Sequence, residues 1–190
     1  MIEVLVTIVI LVIGMLGLAG LKSRAHVTEM ESYQRAQALS LLRDMEARLR
    51  AGRNLLADTT VGGANSLGFN NLASTDGSVV WGTGDTNSDC SGKALAEYEV
   101  CLWSQALKGA AESLASGNVG AMLGARGCLI SQVPNASAIA DFYVVVVWQG
   151  LIATTDPVAG TPGALCASGV NFGTGLRRAV ATRVLIPKLN

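Results

Sequence analysis

The eighteen residues from Val4 to Leu21, VLVTIVILVIGMLGLAGL, carry no charge. As a helix they extend about 27 Å, at about 1.5 Å per residue, just enough to cross the hydrocarbon core of a bilayer. The β-branched residues before Gly14 would suit a buried strand, but the run is too long for one. A buried core helix of a globular domain would show a polar face, and none is present. A cleaved secretory signal would open on basic residues, carry a shorter apolar stretch and end at a small-x-small exit; here the start is Met1-Ile2-Glu3 and the exit only Ala19-Gly20-Leu21. The run is therefore expected to be a membrane or assembly-core helix. Gly14, Gly17 and Gly20 recur every third residue along it, a smooth strip where another helix backbone can come close. Glu3 stands at the lip of the run, where a carboxylate is costly unless it finds a partner.

Residues 22 to 50 change character without a helix break. They hold ten of the chain's 28 charged residues and no Gly or Pro, so one continuous helix of about 70 Å is expected. Its apolar spacing is helical: Ala38, Leu41, Leu42, Met45 and Leu49 form a stripe, and Arg43, Glu46, Arg48 and Arg50 lie mainly off it. That stripe predicts packing on a globular head. Ala51-Gly52 is a C-terminal stop, with Arg48 and Arg50 well placed for the helix dipole. The chain thus divides into a helix at 1–50, apolar over 1–21 and amphipathic over 22–50, and a head at 51–190.

In the head, residues 54 to 92 are rich in Gly, Asn, Ser, Thr and Asp, which predicts a long irregular segment with one short strand at Ser78 to Trp81. A second helix is expected from Ala94 to about Ala115, carrying Leu95, Tyr98, Leu102 and Leu107. Strands are expected at Cys128 to Val133, Phe142 to Gln149 and Arg177 to Ile186. The middle one, FYVVVVWQ, is nearly all apolar and should lie centrally with both faces covered. The last alternates Val180, Thr182, Val184 and Ile186 on one face, which suits packing on a helix.

Only 15% of the residues are charged, and 14 Lys and Arg balance 14 Asp and Glu. That neutrality excludes a general electrostatic binder of nucleic acid. Cys90, Cys101, Cys128 and Cys166 form no Cys-x-x-Cys pair, and the single histidine, His26, is remote from them in sequence. Disulfides account for four such cysteines better than a zinc site does, and three pairings are open. Cys90–Cys101, closing a loop onto the second helix, and Cys128–Cys166, tying a strand to the Gly-rich loop before the last strand, are favoured. Bridges would place the head outside the cytoplasm; four reduced, buried thiols are the alternative.

No catalytic constellation emerges. His26 has no triad or metal partners in the pattern and reads as a solvated helix-face residue. Gly82-Thr83-Gly84 lacks the remainder of a P-loop. Asp85-Thr86-Asn87-Ser88-Asp89 imitates the first half of a calcium loop, but Cys90 and Ala96 stand where the Gly and the closing Glu belong, so a solvated polar loop is expected. Arg177 and Arg178 could contact an anionic partner, but are expected instead to be exposed at a strand edge, keeping it soluble. No cofactor is implied.

The opening Ile2-Glu3-Val4-Leu5-Val6, running into Ile10-Leu11-Val12-Ile13-Gly14-Met15-Leu16-Gly17-Leu18-Ala19, resembles the class III methylation motif of type IV pilins. Gly-Met-Leu-Gly-Leu-Ala-Gly-Leu, Ala-Arg-Gly-Cys at Ala125 to Cys128, Val-Trp-Gln-Gly at Val147 to Gly150, and Arg177-Arg178 resemble more narrowly the PilV-type minor pilins. Met1 stands in the place of the family's Leu. The Phe, Thr, cleavage-site Gly and basic leader that precede it in the family have no counterpart here, so these residues support neither peptidase processing nor N-methylation. Lys22 and Arg24 alone would draw the carboxyl side of the run toward the cytoplasm; the family's basic leader would set the head outside.

The resemblance implies an α+β, ladle-shaped subunit, a long N-terminal helix packed on an antiparallel sheet with a second helix. It implies that Glu3 pairs with the N-terminal amine of a neighbouring subunit, strongly so in a low-dielectric filament core. It implies a single-pass inner-membrane protein with a periplasmic head that passes into the pilus. Its partners would be other minor pilins and the major pilin through their N-terminal helices, and an adhesin at the tip, where such subunits prime assembly. Two further classes remain open: a minor pseudopilin of a type II secretion system, and a membrane-anchored periplasmic enzyme or binding domain with a concave site of perturbed titratable groups.

Overall fold

A computed structural model of the chain describes residues 2–56, 59–61, 64–86, 89–93, 95–110, 113–114, 117–118, 122–133 and 139–187. The fold is α+β, with a long N-terminal helix and a four-stranded antiparallel sheet, the layout the pilin resemblance implies. The chain forms two compact units, Met1–Arg35 and Ala36–Asn190. Helix α1 spans Ile2–Ala51 and ends where the glycine falls, Gly52 donating its N–H to the Arg48 carbonyl at 2.8 Å.

In the globular unit a 3-10 turn at Arg53–Leu55 leads into a small antiparallel hairpin of β1 (Thr59–Val61) and β2 (Ala64–Ser66). Helix α2 (Phe69–Leu72), strand β3 (Trp81–Gly82) and helix α3 (Leu95–Leu107) follow, then a second hairpin of β4 (Ser113–Leu114) and β5 (Gly117–Asn118). Strand β6 (Arg126–Ser131), strand β7 (Ile139–Gln149), helix α4 (Pro162–Leu165) and strand β8 (Arg177–Pro187) complete the order. The sheet runs β3-β6-β7-β8, and every pairing is antiparallel.

Several expected boundaries are corrected. Residues 54–92 are not one irregular stretch, since they carry β1, β2, α2 and β3. The strand expected at Ser78 to Trp81 reduces to Trp81–Gly82: Gly77 turns the chain with φ +75° against the Leu165 backbone, and only Trp81 and Gly82 reach ladder partners, Gly127 and Arg126. The second helix ends at Leu107 rather than near Ala115, because Gly109 takes φ +81° and Ser113–Leu114 pair with Gly117–Asn118. Its expected ends, Ala94 and Ala115, lie outside the described residues. The strand expected at Cys128 to Val133 sits two residues earlier, its ladder ending where Ser131 meets Phe142.

Strand β7 is covered on both faces, as its unbroken apolar run predicts. Its side chains alternate. Phe142, Val144, Val146 and Trp148 share a buried cluster with Leu129 of β6, Val184 and Ile186 of β8, Val100, Trp103 and Leu107 of α3, and Ala38, Leu42, Met45 and Leu49 of α1. Val145 and Val147 face a second cluster with Cys128, Ile130, Cys166, Ala167 and Phe172. Each fully buried aliphatic side chain stabilises by about 1.5–3 kcal/mol relative to exposure. The α1 stripe is therefore a structural face of the globular unit, and β8 meets it through the alternation of Val184 and Ile186.

Two disulfides are present, Cys90–Cys101 with Cα atoms 5.7 Å apart and Cys128–Cys166 with Cα atoms 5.6 Å apart. The second lies within the Val145/Val147 cluster.

Candidate functional site

The apolar half of α1 has the length and composition of a membrane-crossing helix. Val4 through Leu21 are exposed, including Leu5, Ile10, Leu11, Ile13, Met15 and Leu16 at 61–68%. An exposed apolar surface of this extent is of the kind that lipid or other helices can cover. The one hydroxyl inside the run is internally satisfied, Thr7 donating to the Val4 carbonyl at 2.9 Å.

A Cβ built on Gly14, Gly17 or Gly20 meets nothing within 4 Å, so none of the described residues uses the close approach these glycines permit. At 3.6 residues per turn, Gly14 lies about 20° and Gly17 about 40° around the helix from Glu3, on opposite sides of it. Glu3, in the first turn of α1, thus heads the same face as two of the glycines. Gly20 has rotated about 100° from Glu3 and belongs to the flank of that face.

His26 places Nδ1 3.4 Å from Glu29 Oε2, both side chains exposed on one helix face. The calcium-like loop is dismantled from within. Asp85 Oδ2 accepts from the buried Ser104 hydroxyl at 2.9 Å, that same Oγ accepts from the Gly82 N–H at 2.9 Å, and Lys108 Nζ donates to the Asp85 carbonyl at 2.8 Å. Asp85 is spent fastening β3 to α3. Asp89 instead caps its own turn, accepting from the Ser91 N–H and hydroxyl. Asn87 and Ser88 lie outside the described residues. Among the described residues no group of three or more His, Cys, Asp or Glu is placed to hold a metal ion.

Arg177 and Arg178 are not exposed strand-edge charges but half-buried clamps. The Arg177 guanidinium donates to the carbonyls of Gly163 at 3.1 Å, Ala167 at 3.4 Å and Cys166, and Arg178 donates to Gly175 at 3.0 Å and to Ile152. Asp156 accepts from the backbone N–H groups of Gly175 at 3.0 Å and Arg177 at 3.1 Å. These bonds hold the segment between β7 and β8 against the start of β8. An Arg-Arg pair at a strand start reveals nothing of this, because its acceptors are backbone carbonyls that any sequence carries.

The Phe172 ring is shared by two guanidinium groups, Arg177 at 5.1 Å and Arg126 of β6 at 5.5 Å from its centroid. Of the two partners, Arg126 stands within the Ala125 to Cys128 stretch, whereas Phe172 belongs to no motif of the sequence. The parity of β6, with Cys128 and Ile130 on the Phe172 face, is the signal that puts Arg126 there.

No protein-family model, curated protein or solved structure matches the chain.

Proposed function

We propose that the chain is a minor pilin of the PilV type, a non-enzymatic subunit that primes assembly at the tip of a type IV pilus. The observation that carries the reading is the exposed, charge-free helical run from Val4 to Leu21 headed by Glu3, on a helix whose last turns seat in a disulfide-tied antiparallel sheet. Before assembly the run lies in the inner membrane with the globular unit in the periplasm. On assembly it moves against the N-terminal helices of other minor pilins and the major pilin, and the tip adhesin is held by the resulting complex. Glu3 supplies a carboxylate that attracts the N-terminal amine of a neighbouring subunit, an attraction strengthened where water is excluded. Gly14 and Gly17, on the Glu3 face, let that neighbour's backbone approach.

The test is deletion of the gene in its native cell, scored by surface filaments and twitching motility, with complementation by the wild type and by Glu3→Ala. Loss of filaments that the wild type restores and Glu3→Ala restores poorly is the expected result. Normal filaments with a defect in exported enzymes would move the protein to a type II secretion pseudopilus, and no phenotype in either would sink the assembly reading.

A further inference from the structure

Beyond Glu112 the sequence carries five Lys and Arg against two Asp, whereas residues 51 to 112 carry three Lys and Arg against seven Asp and Glu. Part of that basic excess gathers at one end of the sheet. Register brings Arg126 opposite Val147, and Val147 opposite Ala179, two residues from Arg177; Gln149 lies opposite Arg177 itself. Arg126 and Arg177 therefore flank β7 on its Cys128–Cys166 face, each guanidinium over the Phe172 ring. Asp156 is the carboxylate of this corner, and its oxygens are held by two backbone N–H groups.

Arg177 is consumed by its carbonyls, but Arg126 is not. Among the described residues its guanidinium makes one hydrogen bond, Nη1 to the Gly124 carbonyl at 3.1 Å, and no carboxylate pairs with it. Burial without a compensating acid pulls its pKa below the ordinary guanidinium value, a preference that an incoming carboxylate would reverse. Asp141, by contrast, is already matched by Arg183, and Asp85 by Lys108 and Ser104. A half-buried arginine stacked on an aromatic ring, with a single hydrogen bond among the described residues, can take a carboxylate in two parallel hydrogen bonds. A groove of about 410 Å³ that shares the Phe172 ring is lined also by Arg177, Thr174, Pro157, Val170 and Asp156, the last with its oxygens held by backbone N–H groups, and offers apolar floor and polar rim for the residues that flank such a carboxylate.

We infer that Arg126, stacked on Phe172 at the basic corner of the sheet, is the docking point for an acidic segment of a protein partner, an Asp or Glu carboxylate reaching the guanidinium while its neighbours lie in the adjoining groove. This surface belongs to the globular unit and stands apart from the assembly role of α1.

The test uses the full chain in a non-ionic detergent and a fluorescein-labelled hexaglutamate peptide, read by anisotropy. Saturable binding that weakens about tenfold in Arg126→Gln, the loss of one charge-assisted bond pair, is expected. Arg53→Gln removes the same charge elsewhere and should leave the affinity unchanged. Arg126→Lys keeps the charge but not the fork and should bind nearly as weakly as Gln, which separates recognition from bulk attraction if the Gln variant melts early. No saturable binding, equal weakening in Arg53→Gln, or full displacement by inorganic phosphate at concentrations comparable to the peptide would overturn the inference.

Discussion

The indole N–H of Trp103 on α3 donates to the main-chain carbonyl of Leu41 on α1 at 2.9 Å, so the second helix is fastened to the first by a bond as well as by packing. Trp103 is fully buried at the centre of the larger cluster, where Gly127 of β6 lies against the edge of its ring. Trp103→Phe should cost about 1–2 kcal/mol through the lost bond and part of the ring. Trp103→Ala should cost about 3–5 kcal/mol. Urea unfolding followed by far-ultraviolet circular dichroism checks both, and equal effects of Phe and Ala would deny the bond its role.

Glycines in the two units should answer differently to alanine. A Cβ on Gly127 would lie 2.2 Å from Trp103 Cη2 and 2.8 Å from Leu107 Cδ1, so Gly127→Ala should destabilise the globular unit by about 1–3 kcal/mol. Gly14→Ala and Gly17→Ala meet open space and should leave the same unfolding midpoint unchanged while weakening helix association in a membrane two-hybrid assay.

Removing the bridges should rank them. Cys128–Cys166 closes a sequence separation of 38 and Cys90–Cys101 one of 11, so chain entropy assigns them about 4 and about 3 kcal/mol. The Cys128→Ser/Cys166→Ser pair should therefore lower the thermal midpoint more than Cys90→Ser/Cys101→Ser. The reverse order would mean that the smaller loop carries structure that the larger does not.

Arg183 grips the buried Asp141 with two bonds, Nε to Oδ1 at 2.9 Å and Nη2 to Oδ2 at 2.6 Å, and these hold the carboxyl below its usual pKa against the opposing effect of burial. A depressed folded-state pKa contributes stability above the unfolded carboxylate pKa and loses it as pH falls through the folded value. Unfolding midpoints measured from about pH 6 down to about pH 2 should fall, and Asp141→Asn should flatten that limb. An unchanged slope in Asp141→Asn would assign the acid sensitivity elsewhere.

Deletion of residues 1 to 21 removes the exposed apolar run and none of the residues of either cluster. The shortened chain should stay monodisperse without detergent and keep both disulfides, as sizing chromatography and a thiol titration under denaturing conditions would record. Aggregation with free thiols would mean that the run takes part in folding.

Elements with one dominant period were legible in the residues: the apolar run, the stripe from Ala38 to Leu49, the two-faced strand FYVVVVWQ and the alternation of β8. What escaped was set by contacts distant in sequence. The β1–β2 and β4–β5 hairpins are three and two residues per strand, too short to show a period. The end of α3 depended on one left-handed glycine inside a run that otherwise favours helix. Of the candidate sites, Glu3 and the glycine strip can be read as positions on a helix face without tertiary knowledge. Arg126 and Phe172 cannot, since only the pairing of β6 with β7 and the fold-back of residues 150–176 bring them together.

Because β7 hands alternate residues to two separate clusters, it works as a partition through which changes of volume do not pass. A swap at Val144 or Val146 must be compensated among Met45, Leu49 or Trp103, whereas one at Val145 or Val147 is compensated among Ile130, Ala167 or Phe172. Changes among the buried residues of the segment from 150 to 176 are therefore answered within the second cluster, while the seat of α1 at Ala38, Leu42, Met45 and Leu49 stays as it is.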